Sequence, residues 1–291
     1  MLGRALDDSV CDPVQSEPVF AHRLAFPSML WPPASGHESR SRTTLRRGVP
    51  IATPVVNRLL AGLPARARNE VLESCEQVEL TFGELLSEPT EATRYAYFPA
   101  DGFISLVASV GGHTNLEVGL IGNEGMFSPS SAFGLDVSPL RALVQGSGGA
   151  LRMKTADLRR ATDASAPLRD TLNRYMCVNV AELAQNAVCN SFHVIEARLA
   201  RWLLMTHDRA HTDELVLTHG LLASMLGVRR SGISVAAAAL QASKAIRYSR
   251  GEITILDRGR LEEASCECYE AANDVYRRYL GLDGGSRPQA S

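Results

Sequence analysis

A short run of basic and hydroxyl side chains near the C-terminal end of the chain has the composition of a DNA-reading surface. Arg229, Arg230 and Ser231 follow a glycine at Gly227, and residues 217–240 have the pattern of a short helix, a turn and a second helix. Arginine can bond to O6 and N7 of guanine together, and serine can bond to either member of a base pair. Because a helix pair of this kind can insert its second helix into the DNA major groove, we predict a helix-turn-helix here.

Further residues around these two predicted helices are expected to contact DNA. A predicted hairpin at 246–256 carries two arginines whose guanidinium groups should hold phosphates, which position a protein without specifying sequence. The methyl groups of Val235 can meet a thymine methyl group. The alternative is an ordinary amphipathic helix pair that packs a core, for which Ile233 and the alanines at 236–239 are suitable. The predicted DNA contacts are Thr218, Arg229, Arg230, Ser231, Ser234, Val235, Arg247 and Arg250.

Positive charge is concentrated in this part of the chain. The whole chain has a formal net charge of -2 and a pI near 6.4, which lacks the basic excess of a typical nucleic-acid-binding protein. Residues 225–260, in contrast, contain seven basic residues and two acidic ones, a local excess of five positive charges. This excess is enough for several phosphate contacts and predicts binding that weakens as salt is added.

No set of residues elsewhere has the spacing of a catalytic or metal site. There is no nucleophile, acid–base pair or phosphate loop in a supporting context, so we do not expect an enzyme.

The six cysteines are scattered, and we expect reduced thiols in a soluble cytoplasmic protein. Cys266 and Cys268 are separated by a single residue, whereas structural zinc sites mostly use wider spacings and need two more ligands, so we predict no metal site. No apolar run reaches the roughly 18 residues of a membrane span, so we expect no membrane partner.

The N-terminal half of the chain changes character twice. Residues 1–52 hold six of the fourteen prolines and no regular period, so we expect a disordered extension. Residues 53–165 begin with two predicted short helices around Pro64 and continue with short β-rich segments between glycines, which predicts a domain built on a closed or double-sheeted antiparallel β-roll. The predicted strands are 78–82, 94–98, 103–109, 114–121 and 140–144, with turns at 83, 101–102, 111–112 and 146–149 and a helix at 153–162.

A long helix is predicted to follow the roll at residues 166–190, opening at Pro167. Its apolar residues recur at steps of three and four, and this narrow stripe favours pairing with a second copy of the helix in a homodimer; packing on the roll is the alternative. The pattern breaks near Asn190 and Ser191, where Ser191 is expected to cap a new helix that reaches about residue 206. The DNA-binding domain is assigned to 191–269, and a C-terminal helix and tail to 270–291. The predicted dimer contacts are Leu168, Leu172, Met176, Val180, Leu183 and Ala187.

Over residues 57–269 the chain resembles the Crp/Fnr family of bacterial transcription regulators. The resemblance rests on the order of these elements and above all on three stretches of sequence. L-T-H-G-L-L-A-S-M-L-G-V-R-R-S-G-I-S at 217–234 and A-I-R-Y-S-R-G-E-I-T-I-L-D at 245–257 look like its winged helix-turn-helix. G-L-I-G-N-E-G-M-F at 119–127 looks like part of its cyclic-nucleotide-binding roll. The resemblance implies an α+β fold with an N-terminal antiparallel β-roll, a long dimerisation helix and a C-terminal winged helix-turn-helix. It also implies a homodimer that binds a two-fold-symmetric DNA operator and contacts RNA polymerase.

The sequence departs from the family where known effectors bind. Relatives that bind cyclic AMP carry F-G-E and then R-S-A-T, but here serine and proline follow Phe127, and Ser138 stands where the phosphate-binding arginine is expected. An iron–sulfur sensor needs four thiolates, several of them near the N-terminus, where this chain has only Cys11. Haem ligation through Cys75 or His113 is also not expected. We therefore predict no cyclic AMP, iron–sulfur cluster or haem as cofactor.

An unidentified effector is expected to bind between the roll and the long helix, where closure could reorient the recognition helices. Of the three residues that read bases in the best-known relatives, only Arg230 is retained, because Ser231 and Val235 occupy the other two places, so a different operator is predicted. The alternative function is a ligand-binding regulatory module that acts through protein contacts and has a vestigial DNA-binding surface. The residues assigned to the effector pocket are Glu124, Phe127, Ser128 and Arg141.

Overall fold

The computed structural model describes residues 57–109, 116–282 and 284. The predicted extension at 1–52, the turn at 111–112, Cys11 and His113 lie outside these residues. Within them, no helix has the length and apolar content needed to cross a bilayer.

The first part of the described chain is the predicted antiparallel roll. Two short helices, α1 (Arg58–Ala61) and α2 (Ala65–Glu73), precede it. Its strands form one sheet in the order β1-β7-β3 and a second in the order β2-β6-β4-β5. Apolar side chains such as Ile104, Phe127 and Val144 pack together as its core. The strands are β1 (Glu76–Leu80), β2 (Leu85–Ser87), β3 (Tyr95–Pro99), β4 (Phe103–Ala108), β5 (Leu116–Ile121), β6 (Arg141–Gly146) and β7 (Gly148–Lys154).

The glycines at 146–149 are mostly part of the sheets, and the prediction of a turn across all four positions was wrong. Gly148 and Gly149 begin β7, which extends to Lys154, so the following helix α3 (Thr155–Ala164) starts two residues later than predicted. A side chain at Gly148 would have no room, since its Cβ would lie 2.4 Å from the carbonyl oxygen of Asp101. Glycine therefore permits the close approach of β7 to the β3–β4 turn.

The long helix α4 (Ala166–Phe192) is divided between two environments. Ser165 caps it by accepting a hydrogen bond from the Leu168 N–H at 3.4 Å. Leu168 and Leu172 are 1% and 0% exposed and pack in a core with Tyr175. Assigning Leu168 and Leu172 to a dimer contact was therefore wrong, because the apolar stripe at this end of α4 packs within its own chain.

The predicted break after α4 is present, but Ser191 does not cap the next helix. The Ser191 hydroxyl donates to the Ala187 carbonyl oxygen from inside α4, at 2.9 Å. Helix α5 (Ile195–Ala210) begins after Val194, which provides no side-chain cap, and it continues beyond the predicted end. The hinge between the two helices is thus His193–Val194.

The C-terminal part is a winged helix-turn-helix followed by two helices. Its three-stranded sheet has the order β8-β10-β9, and the short strand β8 was not predicted. The last helix packs back against α4, where the Tyr276 hydroxyl donates to the Glu182 carboxylate at 3.1 Å. The elements are β8 (Glu214–Val216), α6 (His219–Leu226), α7 (Arg230–Ala242), β9 (Ile246–Ser249), β10 (Glu252–Ile255), α8 (Arg258–Ala264) and α9 (Cys268–Leu280).

Three buried charged residues join the roll, α4 and α5. The Arg209 guanidinium of α5 donates to Glu124 from Nε at 2.9 Å, and its Nη2 lies 2.8 Å from the same oxygen. Glu182 of α4 lies 4.0 Å from Arg209 Nη2. All three side chains are buried, and burial raises the pKa of Glu182 to about 7. Glu124, assigned to the effector pocket from the sequence, is therefore a partner of Arg209 instead.

Replacement of Arg209 by methionine should destabilise the protein by about 3–5 kcal/mol, because it leaves the Glu124 carboxylate buried without its cation. Urea denaturation of the purified protein measures this loss. The matched control is Arg66→Met, which removes an arginine whose side chain is 93% exposed and pairs with Glu70, and it should cost no more than about 1 kcal/mol. Equal losses in the two variants would contradict the structural role of Arg209.

Candidate DNA-binding surface

The two helices of the helix-turn-helix begin and end at residues with clear local signals. Thr218 caps α6, since its hydroxyl oxygen accepts a hydrogen bond from the Leu221 N–H at 3.2 Å. Gly227 ends α6 in the left-handed conformation, with φ 63°, which glycine adopts without a steric penalty. After Val228, Arg229 occupies the N-cap position of α7 and makes no side-chain cap there. Its side chain is exposed, so its guanidinium group is available for a ligand.

Helix α7 separates its packing residues from its polar residues. Ile233, Ala236, Ala237 and Leu240 are buried, and the helix packs against α5. Gly232 permits this packing, because a Cβ there would lie 2.7 Å from the Ile195 side chain. The candidate base-reading residues are on the exposed side of the helix and its N-cap: Arg229, Arg230, Ser231, Ser234 and Val235.

His219, which the sequence did not single out, ties α6, α7 and the wing together. Its ring stacks on Tyr248 of β9, with centroids 4.2 Å apart and planes 16° apart. Its Nδ1 lies 3.0 Å from the Ser234 hydroxyl of α7. Burial, and secondly the nearby Arg230, lower the pKa of His219, which favours the neutral ring at pH 7. The only available sequence signal was a histidine directly after the Thr218 cap.

The predicted hairpin forms the wing. Its turn consists of Arg250 and Gly251, with φ 50° and 89°, the two positive values that a two-residue type I′ turn requires. Arg250 is exposed at this tip, and Arg247 is exposed on β9, where it donates to the Thr254 hydroxyl at 3.2 Å. The Leu217 N–H donates to the Gly251 carbonyl oxygen at 2.7 Å, so the wing is attached to the start of α6.

The excess positive charge of this region is mostly unpaired. Arg258 is bound to Asp208 at 2.7 Å, and Arg260 lies 3.1 Å from Asp257. These two arginines therefore have structural partners. In the part of the chain that the structure describes, no carboxylate lies within ion-pair distance of the other five basic residues, which are Arg229, Arg230, Lys244, Arg247 and Arg250.

Residues 197–264 match the family described as the Crp-like helix-turn-helix domain. The chain carries a Crp-like helix-turn-helix domain. This match includes α6, α7 and the wing, and with them every predicted DNA contact. Comparison of the sequence with curated proteins gives no match.

Comparison with solved structures extends the likeness beyond residues 197–264. A protein from Eubacterium rectale, described as a transcriptional regulator of the crp/fnr family, is 18% identical with a TM-score of 0.57; the match covers 71% of this chain and 96% of that one. FixK2 from Bradyrhizobium japonicum is 15% identical with a TM-score of 0.55, over 66% of this chain and 98% of that one. CLP from Xanthomonas campestris, described as a c-di-GMP responsive global regulator, is 14% identical with a TM-score of 0.55, over 66% and 99%.

At identities this low, the structural likeness establishes the fold alone, and that fold is the fold of the Crp/Fnr regulators. Together with the match of residues 197–264, this likeness confirms the predicted resemblance and fold class. None of the three neighbours is described as an enzyme, in agreement with the expectation for this chain.

The residues assigned to the effector pocket have separate partners within this Crp-like fold. Phe127 packs inside the roll, and the Ser128 hydroxyl bonds to that of Ser131. Arg141 forms two contacts of 3.1 Å with the Glu88 carboxylate. Ser138 binds its own loop, accepting a hydrogen bond from the Leu140 N–H at 3.1 Å. A phosphate at this place would therefore have to displace Glu88 to gain Arg141.

A small cavity lies where β5, α4, α5 and α6 meet, between the roll and the long helix. Its volume is about 30 Å³, which leaves room for no more than about two water molecules. Glu117 lines it, buried, and accepts hydrogen bonds from the Trp202 indole at 2.6 Å and from the Ser105 hydroxyl. Burial raises the pKa of Glu117 to about 7. Arg198 and Arg201 also line the cavity, and each has a buried N–H without a hydrogen-bond partner among the described residues.

Glu117 should make stability fall as pH rises from about 4.5 to about 7, because the unfolded chain ionises this carboxyl before the folded chain does. In Glu117→Gln this contribution is absent, so the variant should gain up to about 3 kcal/mol relative to wild type between pH 4.5 and about 8. Urea denaturation across this pH range measures the difference. The control is Glu79→Gln, an exposed position on β1. A gain for Glu117→Gln no larger than the control's would contradict a buried, proton-binding Glu117.

Proposed function

We propose that this chain is a dimeric transcription regulator that binds a two-fold-symmetric DNA operator and does not use cyclic AMP as its signal. The observation that carries the proposal is the set of unpaired cationic side chains at the start of α7 and on the wing. These lie within residues that match the Crp-like helix-turn-helix domain. Arginine and lysine are exposed on most protein surfaces, so the argument rests on their concentration here, without acidic partners, at the start of α7 and on the wing.

DNA recognition would use α7 in the major groove and the wing on the phosphate backbone. Arg230, in the first turn of α7, is suited to bidentate contact with a guanine, and Val235 to a thymine methyl group. Arg229, Arg247 and Arg250 are suited to phosphates, which fix the register of the helix. Ser234 is already bonded to His219, so we assign it a role in positioning α7 as well as in contacting DNA.

The second half of α4 supports a homodimer. Val180 and Leu183 are 66% and 41% exposed, and Ala187 and Val188 are also exposed. These positions recur at helical spacing, so they form one apolar strip that a second copy of α4 can cover. An isologous contact of this kind would present two α7 helices to half-sites about 34 Å apart, or a multiple of that distance.

The arrangement of the roll supports a signal other than cyclic AMP. Pro129 begins a short 3-10 helix and has no N–H to offer a phosphate, and Arg141 is held by Glu88. We expect an effector to act at the junction around Glu117, because the roll, α4 and α5 meet there. The cavity at this junction holds no more than about two water molecules, so the effector would have to move these elements apart to enter it. RNA polymerase is a further partner that we propose on the basis of the fold.

Selection of bound sequences from random double-stranded DNA tests the proposed function. We expect enrichment of a palindrome in which each half-site contains a guanine that Arg230 can contact from the major groove. A protein-contact module with a vestigial DNA surface would enrich no sequence, and that result would overturn the proposal.

Arg230→Ala should weaken binding to the selected operator by about 1–3 kcal/mol, because it removes a bidentate base contact. Fluorescence anisotropy with labelled operator at fixed salt measures the change. The control is Arg278→Ala, an exposed arginine on α9 outside the matched domain, which should leave the affinity unchanged. A similar affinity for both variants would show that Arg230 does not contact a base.

Leu183→Glu should shift the protein from dimer to monomer, because it places a carboxylate in the centre of the apolar strip of each α4 helix. Sedimentation velocity at several protein concentrations measures the distribution. Leu135→Glu provides the control, since Leu135 is 64% exposed and lies on the roll, outside α4. A wild-type chain that sediments only as a monomer would contradict the proposed assembly.

A further inference from the structure

Three cysteines and a histidine from two distant parts of the chain converge at the hinge between α4 and α5. Cys189 lies in the last turn of α4, and His193 follows the end of that helix. Cys266 lies just before α9, and Cys268 is its first residue. Their ligand atoms all lie within 4.8 Å of one another. The fold therefore supplies the two additional ligands that the pair at 266 and 268 lacked in the sequence.

The separations fit a tetrahedral site. Sγ of Cys189 lies 3.6 Å from Sγ of Cys266, and Sγ of Cys268 lies 3.4 Å from Nδ1 of His193. Zinc bonds of about 2.3 Å to sulfur and about 2.0–2.1 Å to nitrogen imply tetrahedron edges of about 3.8 Å between sulfurs and about 3.5 Å between sulfur and nitrogen. These two of the six edges are therefore close to those of an ideal tetrahedral site, and the other four are no longer than 4.8 Å.

We propose that Cys189, His193, Cys266 and Cys268 bind one zinc ion. On binding, the three thiols release their protons to solvent and form Zn–S bonds, while neutral His193 donates its Nδ1 lone pair, and no electron is transferred. Three thiolates and one imidazole are the ligands of a common type of structural zinc site.

Neighbouring residues are placed to orient these ligands. The Glu267 carboxylate lies 3.2 Å from Nε2 of His193, which directs Nδ1 of that ring toward the thiols. The Gln185 amide donates to Sγ of Cys268 at 2.9 Å. Contacts of this kind fix the tautomer of a ligand histidine and the orientation of a ligand thiolate.

The charge of the surroundings also suits a thiolate-rich site. A zinc ion with three thiolates carries one net negative charge. Arg198 and Arg201 are buried, and each has an N–H without a hydrogen-bond partner among the described residues. They line the same cavity as Cys189, so they can balance this charge.

Other occupants fit the geometry less well. Magnesium and calcium prefer oxygen ligands. An iron–sulfur cluster divides its four protein ligands between two or four iron atoms. Ligand atoms on different irons lie farther apart than the 4.8 Å within which these atoms all lie. A disulfide between Cys189 and Cys266 would leave Cys268 and His193 without a role.

A bound zinc ion would hold the hinge in one conformation. It would join the end of α4 to the segment that follows the wing, and these two parts lie on opposite sides of the His193–Val194 hinge. The position of the DNA-binding part would therefore depend on whether the metal is bound. The site itself does not rest on the proposed DNA binding, since metal content is measured on protein alone.

Metal content of the full-length protein tests the proposal. The protein is equilibrated with zinc chloride under a phosphine reductant, desalted and analysed for metals by mass spectrometry. We expect one zinc per chain in wild type and its loss in Cys268→Ala and His193→Ala. Cys177→Ala, which removes an exposed cysteine of α4 outside the cluster, should retain the full zinc content.

A second measurement needs no variant and is independent of whether the variants fold. In the wild-type protein, zinc should protect Cys189, Cys266 and Cys268 from alkylation, while Cys177 reacts at the same rate with and without metal. Cobalt in place of zinc should give the visible absorption of a tetrahedral thiolate site. Absence of bound zinc, full zinc content in Cys268→Ala, iron with acid-labile sulfide, or a metal-free disulfide between Cys189 and Cys266 would each overturn the proposal.

Discussion

The buried contact between Arg209 and Glu124 constrains the rest of this structure. Burying either charge without the other would cost several kcal/mol of stability. Helix α5 therefore has one favourable position against the roll. Helix α5 in turn supports α7, since Gly232 packs directly on Ile195. The direction in which the exposed arginines of α7 point therefore depends on an ion pair at the opposite end of α5. A signal that weakens or relocates this pair would move the DNA-binding surface as a unit.

Helix α4 carries information between the two halves because its faces serve different partners. Its first half closes a core beside the roll, another face packs against α9, and its second half carries the exposed strip that we propose a second copy covers. Its C-terminal end borders the cavity at Glu117 and, with the residue that follows it, supplies two members of the cysteine–histidine cluster. A small change in the hinge would thus alter the proposed dimer contact and the position of α7 together, which is how helix shifts at interfaces act in switching proteins.

Features set by local chemistry could be predicted from the sequence, and features set by distant contacts could not. The Thr218 cap, the left-handed Gly227 and the hairpin turn at Gly251 are local, and the predicted helix-turn-helix and wing follow from them. The stripe of α4 was ambiguous, because periodicity shows that one face is apolar but not what covers it; this is why Leu168 was misassigned. Arg209 and Glu124 are 85 residues apart in the chain, and Cys189 and Cys266 are 77 apart. No spacing rule joins such pairs before the fold is known.

The central claim is that the start of α7 faces base edges in the major groove, and methylation interference on the selected operator tests it most directly. Dimethyl sulfate modifies guanine at N7 in the major groove and adenine at N3 in the minor groove. We expect N7 methylation of one guanine in each half-site to block binding of the wild-type protein, and the same methylation to have little effect on residual binding by Arg230→Ala. Interference at adenine N3 alone, or equal interference for both proteins, would contradict this placement of α7.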